Sequence, residues 1–144
     1  MVTKIARERL RWFQAFMPLY ERASPLVLRI ADLKRFEVGE LPVSPDMLAV
    51  SRLTLQPILN AVRRMPNPKD KELATIHREF ELALLNCIKA AEWAEKYLNP
   101  RHHNVDIDVL LGTVINYTVL AHEYIESVAK KLGSPSNSKA PFVT

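Results

Sequence analysis

From Leu73 to Leu98 the chain keeps apolar side chains on one helical face for about seven turns. Leu73, Ile76, Phe80, Leu84, Cys87, Ala91, Ala94 and Leu98 recur at steps of three and four, the period of an α-helix rather than a strand. A helix that long cannot bury such a stripe by itself. It needs other helices of similar length beside it.

The rest of the sequence supplies them between proline-marked breaks. Ten prolines occur against three glycines, and they cluster at Pro42/Pro45, Pro66/Pro68, Pro100 and Pro135. A first helix is predicted over about 3–20, with Trp12, Phe13, Phe16 and Tyr20 on one face and Lys4, Arg7 and Arg11 opposite. Pro18 should kink or stop it, and Ser24-Pro25 should cap a second, short helix that Gly39 ends. Ser44-Pro45, with Asp46 in the first turn, opens a third helix to about Met65, bent before Pro57. Asn67-Pro68 begins the long helix and Asn99-Pro100 closes it. Asn104 should cap the last one, helped by Asp106 and Asp108, with Lys130 and Lys131 at its negative end and Gly133 and Pro135 as stop signals.

No alternating β-branched run bounded by hairpin turns is present. The expected fold class is all-α: an antiparallel four- to five-helix bundle with short, proline-punctuated loops. Residues 1–133 read as a single domain and 134–144 as a disordered tail.

Composition allows this. At 144 residues, 48% hydrophobic and 25% charged, the chain can build a real core. The longest uncharged stretch, Val109 to Ala121, is 13 residues, short of the roughly 20 that span a bilayer. The first residues lack a secretory pattern, and one cysteine, Cys87, permits no intrachain disulfide. A cytoplasmic protein with no membrane partner is expected. The net charge of +4 is uneven: residues 1–64 hold 11 Lys/Arg against 6 Asp/Glu. That excess allows an acidic partner without demanding one.

Two patterns carry candidate chemistry. His77/Glu81 and His122/Glu126 repeat a His-x-x-x-Glu spacing on the two longest helices. If those helices fold into an antiparallel hairpin, His77 lies level with Glu126 and Glu81 with His122. Two imidazoles and two carboxylates suit zinc or another divalent transition metal, with hydrolysis if one coordination position stays open. The plainer reading is a pair of cross-helix ion pairs, each contributing roughly 0–1 kcal/mol. No cofactor is expected beyond such a metal.

The second pattern is surplus apolar surface on the last helix. Beyond the stripe through Val114, Thr118, Ala121, Ile125 and Val128, a second one runs through Thr113, Tyr117, Leu120 and Tyr124. Either this helix is central, touched by several others, or the second stripe is a subunit interface. Tyrosine favours interfaces because its ring buries area while its hydroxyl keeps a partner.

Other features read as structural. The arginines of the first helix could meet RNA or an anionic membrane surface, but its aromatics share a face that core packing should consume. His102 and His103 are adjacent in a loop, a poor spacing for a shared metal. No phosphate-binding glycine loop, nucleophile elbow or cysteine cluster occurs. The leading expectation is a bundle acting through protein contacts, as a homodimer or with another helical protein. Catalysis is not the favoured reading. A metal-binding bundle is the alternative and nucleic-acid binding a weaker one.

Overall fold

The computed structural model describes residues 3–35, 44–98 and 106–133. The expectations for Gly39, the Asn99–Asn104 connection and the tail lie outside these residues. Four helices form: α1 (Lys4–Ala31), α2 (Pro45–Arg64), α3 (Lys71–Leu98) and α4 (Ile107–Gly133). A 3-10 turn, Asp32–Arg35, follows α1. Among the described residues there is no strand, and the protein is an all-α bundle.

The expected break in the first 35 residues is absent, and two predicted helices are one. Pro18 and Pro25 stand inside α1, seven residues or about two turns apart, so they share a face, and both are exposed. Each removes the donor to a carbonyl four residues back, on Gln14 and Glu21, which are exposed as well. Water can satisfy those carbonyls. Inside, Phe16, Ala23, Val27 and Ile30 are wholly buried across both prolines. An interior proline costs about 3 kcal/mol. Burying each large side chain returns about 1.5–3 kcal/mol, so tertiary packing carries the helix through.

Two helix starts also shift. Asp70, not Asn67, caps α3: its Oδ1 accepts the Glu72 and Leu73 N–H groups at 2.9 and 3.2 Å. Asp106 does the same for α4, accepting the Asp108 N–H at 2.8 Å. Thr3 and Ser44 cap α1 and α2 through their hydroxyls, the second as the sequence implies.

Direction follows from cross-helix partners. Arg9 reaches Asp70, Trp12 reaches His77 and Phe16 packs on Phe80, so α1 and α3 run parallel. Arg52 pairs with Glu95 and Arg63 with Glu81, so α2 is antiparallel to α3. Glu79 meets Ser127 and Lys131, which makes α3 and α4 an antiparallel hairpin. The topology is up-down-up-down. The two parallel helices touch directly, while α2 and α4 scarcely meet and flank them on opposite sides.

The central helix is α3, not the last one. Its buried residues include Leu73, Ile76, His77, Ala83, Leu84, Ile88 and Ala90, a broad arc facing three neighbours. Helix α4 buries one narrow face through Leu110, Val114, Thr118, Ala121, Ile125, Val128 and Leu132. The core is a single cluster to which all four helices contribute.

Candidate functional site

The His/Glu quartet disperses. His77 is 3% exposed, on the flank of α3 that faces α1 and α2 rather than α4. Its Nδ1 accepts the indole N–H of Trp12 at 3.0 Å, and its Nε2 lies 3.1 Å from the Val62 carbonyl oxygen. An indole nitrogen only donates and a carbonyl only accepts, so the ring is neutral with its proton on Nε2. Burial lowers its pKa, opposed by the Val62 carbonyl and the charge of Glu81. Neither nitrogen keeps a lone pair for a metal.

Glu81 accepts from Arg63 Nε of α2 at 3.3 Å. His122 pairs with Glu126 within α4, Nε2 to Oε1 at 2.9 Å. The cross-helix pairs His77–Glu126 and Glu81–His122 therefore do not form, although the hairpin itself does. The residue of α3 turned towards α4 is Glu79, whose carboxylate accepts from the Ser127 hydroxyl and pairs with Lys131. Among the described residues no three His, Cys, Asp or Glu side chains gather to hold a metal. Burial also pushes the Cys87 thiol far up, leaving it to pack in the core rather than react.

The second stripe of α4 divides. Tyr117 and Tyr124 are half-buried and packed against the protein's own core. Leu120 is 39% exposed, and with Val109 and Val119 it stands on the outer face; Thr113 is half-buried beside it. No charged side chain interrupts 109–121. Gly112 lies on the same exposed face, and a Cβ there would meet nothing within 4 Å.

A feature that patterning missed is a cleft of about 510 Å³ between the first turns of α1 and the segment joining α2 to α3. Lys4, Arg7 and Arg11 line one wall, at spacings of three and four on α1. Trp12, Met65 and Pro66 supply apolar surface. The cations were legible as one helical face. The opposite wall was not, because a Pro-Asn-Pro connection says nothing of where it will lie. The aromatics of α1 go to the core as expected: Trp12, Phe13 and Phe16 are at most 6% exposed.

Comparison with family models, curated proteins and solved structures gives no match to this chain. No helix among the described residues is long and apolar enough to cross a membrane.

Proposed function

We propose that this chain is a cytoplasmic recognition bundle that works through protein contacts, pairing with a second copy through the outer face of α4. The observation that carries the reading is the exposure of Val109, Val119 and Leu120 on the longest uncharged stretch of the sequence. Isolated surface hydrophobics are ordinary, but three on one helical face with no charge between them form a coherent apolar strip. Gly112 supports it. A helix-interior glycine costs about 1 kcal/mol relative to alanine, and nothing among the described residues requires one here. On a face that meets another helix, the missing Cβ lets two backbones approach closely. Two-fold pairing of α4 with its copy, crossing near Asn116, would place uncharged surface against uncharged surface.

The test is sedimentation of the wild type against the double variant Val109→Glu/Leu120→Glu. Both positions point outward, so the fold should survive, as helicity by circular dichroism will register. Tyr124 is a poor choice for this purpose because its ring packs on the core. The expected result is a dimer at tens of micromolar for the wild type and a monomer for the variant. A wild type that stays monomeric there rules the reading out.

A further inference from the structure

The cleft beside α1 has the construction of a binding site. Its two walls are bonded to each other. The Glu8 carboxylate accepts the Lys69 backbone N–H at 3.0 Å, and Arg9 reaches Asp70 at 2.6 Å, fixing the α2–α3 connection against α1. Pro66 and Pro68 restrict that connection further by locking φ. A site whose walls are already ordered loses little entropy when a ligand enters.

Its chemistry is one-sided. Lys4, Arg7 and Arg11 form no ion pair or side-chain hydrogen bond among the described residues, whereas Arg9, Arg52 and Arg63 all do. Among the described residues the only carboxylate lining the cleft, that of Glu8, is already taken by the Lys69 backbone N–H. Below the cations, Trp12 contributes carbon rather than nitrogen, since its N–H is committed to His77. Met65 and Pro66 continue the apolar surface. The volume lies within the roughly 300–1,000 Å³ of small-molecule sites.

We infer that this cleft binds a small organic anion with an apolar body, its acid group held by Arg7, Arg11 and Lys4 and its body lying on Trp12, Met65 and Pro66. An inorganic anion would leave the apolar floor without a partner.

Trp12 makes the site self-reporting. The experiment titrates the full-length Trp93→Phe protein, in which Trp12 is the one tryptophan left, with anilinonaphthalene sulfonate. Saturable binding of one probe per chain is expected, with energy transfer from Trp12. Arg7→Ala/Arg11→Ala should weaken binding about tenfold, as expected for the loss of two solvent-exposed ion pairs. Arg22→Ala, an exposed arginine of α1 outside the cleft, should leave affinity unchanged. Ala15→Phe, which fills the cleft from an exposed position, should abolish binding without touching a cation. Sodium decanoate should displace the probe, while decanol and inorganic phosphate at the same concentration should not. Non-saturable binding, equal affinity in the double arginine variant, or displacement by decanol or by phosphate as effective as that by decanoate each overturns the inference.

Discussion

At the scale of single residues the most consequential side chain is His77, because it joins three helices with one ring. It takes the Trp12 N–H from α1 and gives its own Nε2 proton to the Val62 carbonyl of α2. Both bonds require the neutral form. Burial lowers its pKa below the ordinary histidine value, so the unfolded chain takes up the proton first as pH falls. The contribution of His77 to stability is thus full above about pH 6.5, the unfolded value, and declines as pH drops below it. Asp70 acts in a separate window. Burial raises its pKa, but the Leu73 N–H, Arg9 and the Glu72 N–H outweigh that and bring it below the usual aspartate value, so its stabilisation is lost only under more acidic conditions, below about pH 3.8. His77→Leu should cost about 1–3 kcal/mol, since the Trp12 N–H loses its acceptor in a buried place. It should also flatten the stability profile between about pH 7 and 5 relative to wild type. Urea melts at several pH values check this. An unchanged slope in the variant would mean that another group carries the pH dependence.

At the scale of elements, α1 decides how far sequence reasoning reaches. Its start near Thr3, its aromatic face and its cationic face were all legible from spacing. So were the start of α2 at Ser44-Pro45 and the apolar stripe of α3. The continuity of α1 was not legible, because proline rules are local and the compensation is tertiary: Ala23, Val27 and Ile30 bury against helices far away in sequence. The quartet failed for a related reason. Periodicity places His77 on the edge of a stripe but cannot say which neighbour that edge meets, and here it meets α1 and α2 instead of α4. If packing alone carries α1 through its prolines, those prolines are a pure local cost. Pro18→Ala and Pro25→Ala should then each stabilise the protein by about 1–3 kcal/mol, restoring one helical hydrogen bond apiece. Thermal unfolding reads this as a rise of about 2–4 °C per kcal/mol for a chain of this size. Destabilisation by either variant would show that the bend a proline imposes is needed to seat Val27 and Ile30.

At the scale of the whole molecule, the topology separates the two proposed surfaces. The cleft is walled by α1 and the end of α2, and the self-pairing strip is on α4, which stands on the other side of the α1–α3 pair. They are connected through the shared core, in which α1 packs on both α3 and α4 and α3 has Leu73, Phe80, Leu84 and Cys87 fully enclosed. Close-packed interiors of this kind do not deform gradually, and coupling between distant sites needs an element with two discrete arrangements. Nothing in the described core supplies one: no buried side-chain nitrogen or oxygen lacks a partner that a second arrangement could satisfy. The two surfaces should therefore be thermodynamically independent. Val109→Glu/Leu120→Glu should bind anilinonaphthalene sulfonate with the wild-type dissociation constant, and saturating probe should leave the monomer–dimer equilibrium where it was. Linkage makes these one statement, since any effect of pairing on ligand affinity must return as an equal effect of ligand on pairing. Titration of the double variant and sedimentation of the wild type with bound probe measure the same coupling from both ends. A matched shift in the two would overturn independence and point to movement of α1 against α3 and α4, on both of which it packs directly.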